Sequence, residues 1–329
     1  MPPPQPESRD AASNLVRMDR RSWLYLIVLG AIWGASYMFI KIALGDLSPA
    51  MIAWGRIALA ALVLTALAAA AGALRGHRSR LGTLALLGVV QAAGPFLLIG
   101  AGEQEISSAL AGILVTTAPL FTALLAVRFD QEERSRGLRL VGVLLGFGGV
   151  IVLLGLDLGG GNELWGGLAV VLAALGYAIG GLIIKLRLSD LPPLGVASWV
   201  MITSTVILAP AALIGAPADV PGPGPIASLL ALGLVGTGIA FAIFYELIAR
   251  VGPARAFIVT YLAPAFAVVY GATLLGEAIT AATITGLTLI LAGSWLGVEG
   301  RLPWRSRPVA IPEPEPCPPE PVPVTPAPR

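Results

Sequence analysis

Two halves of this chain carry the same landmarks about 144 residues apart, and that duplication constrains the fold more than any other feature. Lys41 recurs as Lys185, Pro119 as Pro264, Glu133 as Glu277, Gly142 as Gly286 and Gly149 as Gly293. Each half closes on a Glu, then eight residues, a Gly, six residues and a second Gly. Each closing pattern follows a Pro-centred apolar run, ILVTTAPLFTALL at 113–125 and IVTYLAPAFAVVY at 258–270. Between the landmarks the chain is apolar in blocks of helix length. An odd number of membrane spans per half would turn the second half upside down relative to the first, an architecture suited to carriers that alternate access about a central site.

Composition places the blocks in a bilayer. The chain is 56% hydrophobic and only 12% charged, more apolar than a soluble domain requires. A spanning helix needs about 20 mostly apolar residues. Ten segments qualify, at 22–44, 49–72, 81–101, 107–127, 138–156, 164–186, 194–215, 226–248, 254–275 and 280–298. The expected fold is therefore an all-α integral membrane protein, with ten transmembrane helices arranged as two inverted five-helix repeats. The first repeat is expected over 22–156 and the second over 164–298. Residues 1–21 read as a disordered cytoplasmic N-terminus, and the Pro-rich 301–329 as a disordered cytoplasmic tail.

Charge sets the orientation. With the N-terminus inside, Arg9, Arg17, Arg20, Arg21, Arg75, Arg78, Arg80, Arg128, Arg134, Arg136, Arg139, Lys185, Arg187, Arg250 and Arg255 all fall on the inner side. The outer loops then carry acids alone: Asp46, Glu103, Glu105, Asp157, Glu163, Asp219 and Glu277. Positive residues inside predict both termini in the cytoplasm of a bacterial-type inner membrane. The single Cys317 and single His77 exclude a disulfide, a zinc site and a Cys/His nucleophile pair. No cofactor, metal or nucleic-acid partner is expected; the expected partners are the lipid bilayer and a small-molecule metabolite.

The landmarks resemble the drug/metabolite transporter superfamily, in its ten-helix EamA-like branch. Helix 1 carries GAIWGASYMFIK from Gly30 to Lys41, helices 4 and 9 carry the Ala-Pro segments at Pro119 and Pro264, and helices 5 and 10 carry the repeated Glu-Gly-Gly pattern. The resemblance implies a plasma-membrane carrier with a central cavity lined by helices 1, 3, 4, 6, 8 and 9. Helices 2 and 7 would flank it, and 5 and 10 would pack peripherally. It also implies amino acids, nucleosides, sugars or similar metabolites as solutes, often exported. Tyr177 and Ala178 stand where the first repeat has Trp33 and Gly34, so the halves are chemically unequal.

Trp33, Tyr37, Gln91, Thr116, Tyr177, Thr237, Tyr245 and Tyr261 are the expected solute contacts. They mix aromatic faces with neutral hydrogen-bonding groups, as a small amphipathic solute requires. Arg56, about 10 Å into helix 2, either attracts a solute carboxylate or pairs with Glu103, Glu105 or helix-end carbonyls. Lys41 either snorkels to the outer interface or takes part in gating. Glu246 either pairs with Arg250 one turn on or acts as a buried, protonatable coupling group. Pro119 and Pro264 are expected to kink helices 4 and 9 for gating. The pairs Gly30/Gly34, Gly142/Gly146 and Gly176/Gly180 serve close helix packing, with a homodimer as their second use.

The sequence thus predicts a carrier of a neutral or zwitterionic metabolite that works by alternating access, as an exporter or exchanger, with uptake as the alternative. A scaffold or receptor using the Pro-rich tail is the non-transport alternative. A lipid-modifying enzyme would need a nucleophile, an acid/base pair or a metal site, and no such constellation is present.

Overall fold

A computed structural model describes residues 18–129, 138–157 and 161–299, and in these residues helix is the only regular structure. The Pro-rich tail, most of the N-terminal segment and Glu133 lie outside the described residues. Eight helices are long and apolar enough to cross a membrane: α1 Arg20–Ala43, α2 Pro49–Ala70, α3 Leu81–Glu105, α4 Ser108–Leu125, α5 Leu138–Gly155, α6 Asn162–Arg187, α7 Pro193–Ile214 and α8 Pro223–Val251. Two shorter apolar helices complete the set, α9 Val259–Leu274 and α10 Ala281–Glu299. The protein is an all-α membrane protein of ten helices in two inverted five-helix repeats.

Local chemistry sets the ends. Asp19 accepts the Ser22 N–H at 3.0 Å and starts α1 at Arg20, inside the segment expected to be disordered. Ser48 caps α2, with Pro49 supplying the fixed φ of a first helical residue. Thr280 and Thr283 cap α10 reciprocally, each hydroxyl accepting the other's backbone N–H. Gly252, at φ 80°, ends α8 in a backbone conformation that costs other residues energy.

Packing exchanges helices between the repeats. The major contacts of α1 are with α9 and α8, and those of α6 are with α4 and α3, the repeat-related pairs. One bundle is therefore α1, α8 and α9; the other is α3, α4 and α6. Each bundle draws helices from both repeats. Helices α2 and α7 pack together on one flank, and α5 and α10 form a seam on another. In that seam Gly142 and Gly146 lie against Gly293 and Gly297, while Gly149 meets Leu289, Ile290 and the Gly286 carbonyl. The repeated Gly-x6-Gly spacing is thus the close backbone contact of α5 with α10.

Both α3 and α8 contain a π-helical stretch, Val89–Ala93 and Ala231–Ile239, at positions related by the repeat. Such stretches free backbone groups and often mark functional sites. In α4 the helix is interrupted at Thr116 and Thr117, just before Pro119. Both hydroxyls turn back onto the carbonyls of Ile113 and Leu114. The Ser294 hydroxyl of α10 donates to the Thr116 carbonyl. Pro264 instead lies within continuous α9, whose break falls earlier, at Phe257 and Ile258. The two prolines sit at matched positions, but the two helices do not break alike.

Candidate functional site

Among the described residues, one Arg or Lys side chain is buried. Arg56 projects from α2 and is only 8% exposed. Its Nε donates to the Thr237 hydroxyl at 2.8 Å. Thr237 lies in the π-helical stretch of α8, and its own hydroxyl donates to the Leu232 carbonyl five residues back at 3.0 Å. The π geometry thus presents a carbonyl that fixes the Thr237 proton and turns its lone pair to the guanidinium. The guanidinium carbon sits 3.9 Å from the centroid of the Phe96 ring on α3, a cation–π contact. The two terminal nitrogens of Arg56 have no hydrogen-bond partner among the described residues. Arg56 is therefore anchored through one edge while its fork remains open, the geometry that suits bidentate recognition of a carboxylate.

Tyr37 of α1 and Tyr177 of α6 lie within electrostatic range of that guanidinium. Both are partly buried. The structure thus brings Tyr37, Arg56, Thr237 and Tyr177 together from α1, α2, α8 and α6. Helix α2, expected to flank the site, contributes its only charge. Neither Glu103, Glu105 nor helix-end carbonyls hold Arg56, as one reading of the sequence had it; Thr237 and Phe96 do.

The other expected contacts fall elsewhere. Trp33 sits 5.3 Å from Phe244 and 6.2 Å from Phe241, and Tyr245 stacks on Phe241. These rings form an aromatic cluster between α1 and α8, nearer the Arg20 end of α1. Gln91 lies in the π-helical stretch of α3, its stem packed on Gly180 of α6. Gly176 admits the Val90 carbonyl and Pro95 in the same way, so the Gly176/Gly180 pair serves the α3–α6 contact. Tyr261 lies 6.2 Å from Trp295 of α10, and the Thr116 hydroxyl is used within its own helix. Glu246 is exposed and paired with Arg250 at 2.7 Å, so it is not a buried coupling group.

At the opposite end of α1 the two bundles are latched. Lys41 donates to the backbone carbonyls of Glu103 at 2.6 Å and Ile106 at 2.9 Å, capping the C-terminal end of α3 rather than reaching free to the interface. Glu277, just past α9, accepts the backbone N–H groups of Ser108 and Ala109 at 2.7 and 3.0 Å. It thereby caps the N-terminus of α4, where the helix dipole favours an anion. Each latch joins an element of the α1–α8–α9 bundle to an element of the α3–α4–α6 bundle. The repeated Glu of the sequence is, in its second copy, a latch residue.

Sequence reading missed Glu103. The apolar run ends near residue 101, which suggests an outer loop, but α3 continues to Glu105 and carries Glu103 inside at 0% exposure. The one available sign was Gly102, one residue earlier, where α6 approaches closely through Gly166 and Val170 and shields the turn from water.

The chain matches the EamA-like transporter family over residues 21–155 and again over 164–298. It belongs to that family. This EamA-like transporter is 30% identical over 300 residues to the uncharacterised inner membrane transporter YedA of Escherichia coli K12, covering 87% of the chain and 94% of the relative. It is 27% identical to a probable amino-acid metabolite efflux pump of Salmonella typhimurium, over 86% of the chain and 96% of the relative. It is also 27% identical to a probable terminal-alkyne amino-acid exporter of Streptantibioticus cattleyicolor, over 90% and 99%. A solved crystal structure superposes with a TM-score of 0.61 at 20% identity, covering 85% of the chain and 98% of that structure, a likeness of fold. The EamA-like match, both repeats included, marks a transporter rather than an enzyme.

Proposed function

We propose that this transporter carries a small zwitterionic metabolite of amino-acid type across a bacterial inner membrane by alternating access, in the exporting direction. The observation that carries this reading is the Arg56 guanidinium: buried, anchored at Nε by Thr237, and open at its fork. One such cation suits one carboxylate; a phosphate-rich solute would call for several. Tyr37 and Tyr177 supply hydroxyls and ring faces for the remainder of the solute, with Gln91 on the wall beside Tyr177. Trp33 and Tyr245 would meet the solute on its way toward the Arg20 end. The names of the Salmonella and Streptantibioticus relatives support both the amino-acid class and export.

Alternating access is supported by the two bundles and by the latches between them. Release of the Lys41 and Glu277 contacts would open the end they close, while the Gly-lined α5–α10 seam stays as the pivot. Arg20, Arg75, Arg187 and Arg250 at the opposite end favour placing that end, and both termini, in the cytoplasm. Lipid is the surrounding partner, and a homodimer is an assembly the exposed apolar helix faces would accommodate.

Counterflow of labelled amino acids in liposomes containing the purified chain tests the reading. Unlabelled solutes that keep the carboxylate should compete, and the corresponding decarboxylated amines should not. Equal competition by the amines, or undiminished affinity in Arg56→Gln, would overturn it.

A further inference from the structure

We infer that Glu103 is the proton-binding group of this transporter, loading a proton on one side of the membrane and releasing it on the other as the bundles alternate. The inference rests on the carrier reading above and adds its coupling ion.

Two carboxylates meet at the latched end, and their surroundings differ. Glu277 has both oxygens satisfied by backbone N–H groups. Glu103 is fully buried, and neither of its carboxyl oxygens has a hydrogen-bond partner among the described residues. An ionised carboxylate left in that condition costs several kcal/mol, because nothing replaces its lost hydration. A proton on the carboxyl removes the charge and most of that cost.

The charged and titratable groups facing Glu103 come from several elements. Lys41 and Tyr37 belong to α1, Arg56 to α2 and Glu277 to the turn after α9. From α6 the approach is made by Gly166 and Val170; its titratable Glu163 lies in the partly exposed first turn. At the start of α4, the Ser108 hydroxyl is also buried without a hydrogen-bond partner among the described residues. Among the described residues, neither cation is paired with the Glu103 carboxyl. Arg56 is held by Thr237 and Phe96, and the Lys41 ammonium rests on the carbonyls of Glu103 and Ile106, not on the carboxyl of Glu103.

That arrangement has two settings. With the latch closed, Lys41 occupies the carbonyls and Glu103 holds its proton. Lys41 and Glu103 lie in different bundles, so separating the bundles takes the ammonium off the carbonyls and admits water to the carboxyl. The carboxylic O–H bond then breaks, the electron pair stays on oxygen, and the proton passes to water on the open side. The remaining carboxylate is stabilised by the water that the opening admits. A proton thus makes one latch state favourable and its loss favours the other, which is what a bistable coupling element requires.

Full-length protein in liposomes tests this in two independent ways. Net solute flux under an imposed pH gradient should follow the gradient, with accumulation changing by up to about tenfold per pH unit for one proton per solute. Glu103→Gln should lose that response; any counterflow it retains shows that it is folded. Infrared titration of the solute-free wild type should show a carboxylic-acid C=O band that disappears on alkalinisation and is missing in the variant. Counterflow that is present but indifferent to the gradient would overturn the coupling and leave the carrier reading standing. A gradient response that persists in Glu103→Gln, or the absence of a titrating band, would overturn the assignment to Glu103. Absence of counterflow for every amino-acid solute would overturn the carrier reading, and the infrared band would still decide whether Glu103 binds a proton.

Discussion

The first repeat carries ionisable side chains in the interior where the second carries aliphatic ones. At the repeat spacing Arg56 corresponds to Val200, 4% exposed, and Glu103 to Leu247, 0% exposed. The seam between α5 and α10 behaves in the opposite way. There both repeats contribute a Gly-x6-Gly pair, and Gly142 and Gly293 each receive the backbone of the opposite helix. Duplication therefore preserves what the bilayer and helix packing demand, namely the spans, the seam and the π-helical stretches of α3 and α8. The chemistry is concentrated in one copy, because a buried charge is expensive and a single central solute needs only one anchor.

The largest expected effect lies in the symmetric part. A side chain at Gly293 would collide with the backbone of Gly146 and Gly142, which has no flexible end to move aside. Gly293→Leu should destabilise the protein by about 3 kcal/mol in detergent unfolding, or prevent assembly. Gly148, on the same seam helix, faces open space, and Gly148→Ala should change stability by less than about 1 kcal/mol. Equal tolerance at the two positions would break the account of the seam as a close backbone contact.

The next effect sharpens the asymmetry. Arg56→Gln should weaken solute binding roughly tenfold to a hundredfold, the range for losing a charge-assisted hydrogen-bonded pair. Adding Val200→Arg to that variant should not restore affinity, since α7 lacks the Thr237 anchor and the Phe96 ring. Recovery of counterflow in the double variant would show that the repeats are chemically interchangeable after all.

How much of this was legible in the sequence follows from the same contrast. The ten spans and their duplication were readable because hydropathy and Gly spacing are local and are stated twice. The Arg56 environment was only half readable. Its depth followed from its position in α2, but its partner is 181 residues away, in a helix whose π register no periodicity announces. Glu103 was read as a loop acid because its burial comes from α6 packing over Gly102, and a single glycine does not by itself announce which distant helix will cover it. Tyr261 and Thr116 looked like solute contacts by residue type. The structure sets the first beside Trp295, 34 residues on, and turns the second back onto the Ile113 carbonyl of its own helix.

A smaller effect is expected at the latch that the repeat does announce. Glu277→Ala removes the acceptor for two backbone N–H groups at the start of α4, and should cost about 1 kcal/mol of thermal stability. It should also speed opening of that end, read as faster labelling of a cysteine placed beside Glu103. Slower labelling would mean that Glu277 does not hold the bundles together.

The smallest effect is expected at Glu246, and it separates two glutamates that residue type alone cannot. Glu246 and Arg250 form an exposed pair one helical turn apart, the arrangement worth only about 0.3–0.5 kcal/mol. Glu246→Gln should therefore leave stability, counterflow and the response to a pH gradient within experimental scatter of the wild type. Glu103→Gln should remove the gradient response. Both residues are acids in apolar helices, and each lies close to a basic side chain. What distinguishes them is that water reaches one and not the other, so only at Glu103 does gaining or losing a proton alter which arrangement of the bundles is stable. A loss of gradient response in Glu246→Gln would place the coupling in the second repeat and reverse the assignment of chemistry to the first.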